Sequence, residues 1–259
     1  MPYTSTNDIN IYYRIVGEGF PLVAIMGLAG NSDWWPDGFI RRLGQDYRVI
    51  LIDNRGAGRT DAPDMEYSIP LMARDTRGLM QVLGIQRAHV MGISMGGMIA
   101  QEIALCFPEV VEKLVLGCTN CGPRHSIPAA PETLQTLADS ISSPEKTLDL
   151  VFTPEFISNH PEKVREFVRS IGISPMSPQS FYRQLGAIQA FDSFERLPQI
   201  KHETLVIAGD KDVLVPPRNS EILARHIPAA RLSFIPGGGH LFIDQYPDLV
   251  YTILKEFLG

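Results

Sequence analysis

The chain has 259 residues, 44% hydrophobic and 20% charged, an ordinary balance for a globular protein able to bury a core in one large α/β domain or two small ones. With 23 basic against 29 acidic residues the net charge is −6 and no basic block occurs, so nucleic acid is not an expected partner. The N-terminal stretch lacks a basic start followed by an apolar core, and no apolar run reaches spanning length; the expectation is a soluble cytoplasmic protein with no membrane partner.

Taken in chain order, short β-rich apolar runs recur at residues 9–16 (INIYYRIV), 22–26 (LVAIM), 49–53 (VILID), 89–93 (HVMGI), 113–118 (KLVLGC), 204–209 (TLVIAG) and 231–236 (RLSFIP). From LVAIM onward they are continuous rather than alternating, which suits strands covered on both faces. Helical patterns lie between several of them. Residues 68–84 place Leu71, Leu79, Met80 and Leu83 on one apolar face, and in residues 95–107 Ile99, Ile103 and Phe107 recur every fourth position. Strands alternating with helices imply a mostly parallel sheet.

That regularity stops after Gly122. Residues 123–196 carry helix-like pieces separated by Pro: PETLQTLADSI, SPEKTLDLVF, PEKVREFVRSIG and SPQSFYRQLGAIQAF. The expected organisation is an α/β core of residues 1–122 and 197–259, with 123–196 inserted as a helical lid. The three cysteines, Cys106, Cys118 and Cys121, are too few for a disulfide framework. Cys118 and Cys121 have C-x-x-C spacing but follow a strand run rather than opening a helix, so they are read as buried or strand-end thiols without a redox or metal role.

The chemistry concentrates at HVMGISMGGMIA. Ser94 stands between Gly92 and Gly96 where a strand pattern passes into a helix; glycine permits the sharp turn and close approach that would project a serine hydroxyl from the sheet. The Met95 N–H, at the helix start, is free to face a developing oxyanion. This strand, Gly-x-Ser-x-Gly turn and helix resembles the nucleophile elbow of the α/β-hydrolase superfamily.

A serine nucleophile needs a base. Of six histidines, His240 alone lies in a glycine-rich loop after a strand pattern, PGGGHL, ahead of a final helix; His89, which opens the strand leading to Ser94, is read as structural. His125, His160, His202 and His226 are read as solvated or packed. The resemblance places the acid at Asp212, through the G-x-x-D-x-x-x-P pattern of Gly209, Asp212 and Pro216, with neighbouring Asp210 as the turn-capping alternative. It places a second oxyanion donor at Leu28, in Met26-Gly27-Leu28, where the superfamily commonly has His-Gly. Asp53, Arg55, Gly56 and Gly58 resemble a loop-organising superfamily segment.

The resemblance covers essentially the whole chain. It implies an α/β-hydrolase fold: a mostly parallel central sheet flanked by helices, with a helical cap inserted after the sixth strand. It further implies a cofactor-free, metal-free serine hydrolase of the esterase, enol-lactonase and haloperoxidase-like group, cleaving carboxylic esters through an acyl-enzyme. Lactone hydrolysis, perhydrolysis and non-catalytic binding of a small molecule on the same fold are the alternatives, and homo-oligomerisation is left open. Trp34, Trp35, Phe152, Phe156, Met176 and Leu241 are the expected substrate-binding side chains for an uncharged or weakly charged ester or lactone. Phe181 and Phe191 add to the apolar character of the insertion.

Overall fold

The structure is a computed structural model that describes residues 2–140 and 143–259; Ile141, the last residue of the expected PETLQTLADSI helix, lies outside them. Eight strands form one sheet in the order β1-β2-β4-β3-β5-β6-β7-β8. These are β1 (Tyr3–Thr6), β2 (Ile9–Val16), β3 (Phe20–Ile25), β4 (Tyr47–Ile52), β5 (Ala88–Ile93), β6 (Val111–Gly117), β7 (Thr204–Gly209) and β8 (Ala230–Ile235). Strands β3 to β8 run parallel, while β2 is antiparallel to both β1 and β4.

Strand side chains alternate between two cores, as the two-residue period requires. Val23, Ile25, Ile50, Ile52, Val90 and Val206 face one core, packed against α2 (Ile69–Val82), α3 (Met95–Cys106) and α9 (Arg218–His226). Leu22, Ala24, Val49, Leu51, Met91 and Ile207 face the other, packed against α1 (Asp37–Leu43) and α11 (Pro247–Leu258). The continuous apolar runs are therefore the signature of a sheet covered on both sides: every residue of β5 and of β7 is buried. Strand β1, with the polar sequence YTST, carries no such run and was not expected; it exists by pairing with β2, Tyr3 opposite Tyr12.

Between β6 and β7 the chain forms α4 (Pro131–Asp139), α5 (Thr147–Val151), α6 (Pro154–Asn159), α7 (Pro161–Ile173) and α8 (Pro178–Ala190). Four of these open on Pro, which lacks the N–H that a first turn leaves unpaired anyway. The Ser177 and Thr153 hydroxyls accept from Ser180 N and Phe156 N at 3.2 and 3.3 Å and cap α8 and α6. Helix α6 was not expected from the sequence. Leu150, Phe152, Phe156, Val164 and Phe167 form a small core of this cap, which Leu241 joins from the sheet side.

The excursion begins and ends at one place. Ser193 N donates to Cys121 O at 2.8 Å, and the Arg196 guanidinium grips Glu102 of α3 at 2.9 and 3.3 Å. Gly122 has φ 111, and a Cβ there would lie 2.1 Å from Phe191 O, so only glycine fits the crossing. The connections leaving β3, β5, β6, β7 and β8 emerge together at the carboxyl ends of parallel strands, beneath the cap. No helix among the described residues is long and apolar enough to cross a membrane.

Candidate active site

Strand β5 delivers Ser94 with its ladder still intact, Ser94 N donating to Gly117 O at 2.8 Å, and helix α3 begins at the next residue. Ser94 takes φ 56 and ψ −121, an energetically costly conformation for a residue with a side chain. The surroundings enforce it by close approach: a Cβ at Gly92 would lie 2.1 Å from Gly96 O, and one at Gly96 would lie 2.1 Å from Ile25 O. The Thr119 hydroxyl donates to Ser94 O at 2.7 Å and fixes the elbow from the end of β6.

The loop after β7 brings Asp212 to the loop after β8. His240 Nδ1 meets Asp212 Oδ2 at 2.7 Å, both residues being buried. An ionised carboxylate only accepts, so Nδ1 carries the proton of this bond and Nε2 of the neutral ring is left as an acceptor. The second Asp212 oxygen accepts from Leu214 N and Val215 N, each at 2.9 Å, which locks the carboxylate plane. Asp210 is spent elsewhere, accepting from Gly237 N at 2.7 Å. Gly209 makes the approach of the two loops possible, since a Cβ there would fall 2.2 Å from Gly238 O.

Burial works against the cationic form of His240, but the Asp212 carboxylate outweighs it and holds the imidazole pKa well above its ordinary value. A third group completes the environment: the buried Cys118 thiol, at φ 37 just past β6, whose sulfur lies within 4.8 Å of the Asp212 and His240 ligand atoms. Burial pushes that thiol pKa up. Cys118, Asp212 and His240 are a donor set that could hold a metal, but the Asp–His bond and the two amides on Asp212 already use the carboxylate and Nδ1.

The expected oxyanion donors are backbone N–H groups. Met95 is the first residue of α3, where its N–H has no acceptor in the helix. Gly27 abuts Ser94, its missing Cβ falling 2.9 Å from Ser94 Cβ, and the adjoining Leu28 N–H has no acceptor among the described residues. Ala29, at φ 63, turns the chain away; its N–H goes to Gln184 Oε1 of α8 at 3.1 Å, while Gln184 Nε2 donates to Arg55 O at 2.9 Å. The segment after β4 props the same loop. Asp53 accepts from Ser32 N and Arg59 N at 2.7 and 2.9 Å, Asn54 Nδ2 donates to Met26 O at 2.9 Å, and Arg55 forms a buried bidentate pair with Asp75.

Residues 21–247 match the family model described as alpha/beta hydrolase fold. The chain belongs to the α/β-hydrolase fold family. The hydrolase is 30% identical to the "Putative carbamate hydrolase RutD" of Azorhizobium caulinodans, across 100% of this chain and 98% of that one. It is 32% identical to the poly(3-hydroxyalkanoate) depolymerase of Ectopseudomonas oleovorans, across 92% of this chain and 84% of that one. Among solved structures, the enol-lactonase of Burkholderia xenovorans LB400 superposes with TM-score 0.87 at 26% identity and 99% coverage of both chains.

In the hydrolase, Ser94, His240, Leu28, Trp34 and Leu241 line one cavity of about 80 Å³ between cap and sheet. Phe181 lines it as well, with Leu137, Leu150 and Val151 from the cap. Four expected substrate-binding residues do not line it. Trp35 is packed in the core beneath α1, and Phe152 and Phe156 are consumed by the cap's own core, their tilted rings 5.0 Å apart. Met176 sits between α7 and α8, away from the cavity wall. Phe191 lies in the core on the α2–α3 side. His89 is wedged between Phe20 and Tyr47, where burial lowers its pKa to about 4. Cys118, Thr119 and Gln184 were not singled out for the site, because their partners lie far away in the chain or bind through backbone atoms.

Proposed function

We propose that the protein is a serine hydrolase that cleaves carboxylic esters through an acyl-enzyme formed on Ser94. The observation that carries this reading is the strained Ser94 elbow opening into the same cavity as His240, whose Nδ1 is held by Asp212 at 2.7 Å. His240 Nε2 takes the Ser94 proton as Oγ attacks the acyl carbon; the imidazolium formed is stabilised by Asp212, and it then returns the proton to the leaving alkoxide. The Met95 and Leu28 N–H groups receive the oxyanion. Water, activated by the same imidazole, releases the acid. The relatives' names describe hydrolysis at carbonyl carbons, of a carbamate, a polyester and an enol-lactone, which fits this chemistry.

The apolar wall of the cavity supports an uncharged acyl group of small size, and a lactone, being a cyclic ester, uses the same steps. The enol-lactonase likeness favours including lactones as a second substrate class. The test is a panel of p-nitrophenyl esters, lactones and aryl carbamates, with peroxide added in a parallel arm, on wild type and Ser94→Ala. Ester or lactone turnover that falls at least about a thousandfold in a folded Ser94→Ala protein is expected. Undiminished turnover in that variant would overturn the assignment.

A further inference from the structure

Two cavities meet at one side chain. The catalytic cavity holds about 80 Å³, space for a handful of heavy atoms, whereas an open groove of about 800 Å³ runs outside it between α1, α7 and the start of α11. Sites for drug-sized ligands measure about 300–1,000 Å³, so the groove has the capacity that the catalytic cavity lacks. Among the described residues, Trp34 alone lines both.

The indole is held in that position from two sides. Its ring meets Phe167 of α7 edge-to-face at 5.3 Å, and Phe167 is itself buried and packed edge-on against Phe152 at 5.1 Å. On the sheet side a Cβ at Gly30 would fall 2.3 Å from Met26 Cγ and 3.3 Å from the ring, and Trp34 N donates to Asn31 O at 3.1 Å. Beyond the indole, half of the groove's lining is ionisable: Arg14 and Arg42 pair with Asp37 and Asp248, and Arg41, Lys163 and Glu166 line it beside Phe167 and Ile173.

We propose that Trp34 is the specificity-determining partition of this enzyme: it limits the chain length accepted at Ser94 and separates the catalytic cavity from the larger outer groove. The inference rests on the ester reading above. A substrate longer than the small cavity must displace an indole held by an aromatic contact with Phe167 worth about 0.5–1.5 kcal/mol beyond area burial. Short esters make no such demand.

The experiment measures kcat/KM on two series, p-nitrophenyl esters from acetate to laurate and alkyl acetates from ethyl to octyl, for wild type, Trp34→Ala, Trp34→Leu and Trp34→Phe. Wild type is expected to fall steeply with length. Trp34→Ala should raise the long-to-short ratio at least about tenfold in one series or both, the scale at which apolar pockets discriminate by size. Trp34→Leu should raise it to a smaller extent and carries the test if the Ala variant does not fold, while Trp34→Phe should keep the wild-type ratio. Short-ester turnover with a ratio unmoved by either truncation overturns the partition alone. Absence of Ser94-dependent ester turnover in wild type overturns the ester reading and the partition with it.

Discussion

Ser94 occupies φ 56 because Gly92 and Gly96 let strand, helix and neighbouring strand pass within distances that no Cβ tolerates. The elbow is thus readable from two glycines and a serine, since its cause is steric and local. His240 is different in kind: the carboxylate that does most to raise its base strength lies 28 positions away, at a 2.7 Å contact. Because the Asp212 carboxylate raises the imidazole pKa, and the base must be neutral to act, activity is lost as pH falls through that raised value. The kcat/KM profile for p-nitrophenyl acetate should therefore show a limb rising with pH whose midpoint lies above 6.5, the ordinary histidine value. A midpoint at or below 6.5 would contradict the role given to Asp212.

At the scale of elements, the parallel strands were legible because burial on both faces demands unbroken apolar runs, and β5 and β7 meet that demand at every position. Strand β1 and helix α6 were not, since YTST is stabilised by its partner strand and PEFISN by a single Thr153 cap and the cap core. The same limit hid Gln184. Its side chain satisfies Ala29 N and Arg55 O, partners more than 120 residues distant in sequence, and no local pattern marks a glutamine for that task. Ala29 adjoins Leu28, so in the proposed mechanism α8 is a positioning element for the Leu28 oxyanion donor. Gln184→Ala strands the buried Arg55 carbonyl, at roughly 1–3 kcal/mol, and the part-buried Ala29 N–H at less. It should lower kcat about tenfold with KM little changed, because a displaced donor loses transition-state contact rather than ground-state binding. Reduced thermal stability with kcat intact would assign Gln184 a purely structural role.

Across the whole molecule, the sheet supplies the groups to which the proposal assigns the chemistry, and the cap encloses them. Five parallel strands end at one edge and contribute Leu28, Ser94, Cys118, Asp212 and His240 from their loops. The cap is anchored where it leaves and returns, by Ser193 on Cys121 and Arg196 on Glu102, and it touches the histidine loop through Leu241 N on Val151 O at 2.9 Å. This division explains what the sequence could disclose about the site. The reacting groups sit on a scaffold whose pattern is readable, whereas the cap's aromatics divide between its own core and the cavity according to packing that periodicity does not reveal: Phe181 lines the cavity while Phe152 and Phe156 do not. The central claim is a covalent acyl group on Ser94. Mass spectrometry of the protein quenched during turnover of p-nitrophenyl acetate should find one acetyl group on the peptide containing Ser94, absent from Ser94→Ala; acetylation of another residue that persists with full turnover in that variant would contradict the account.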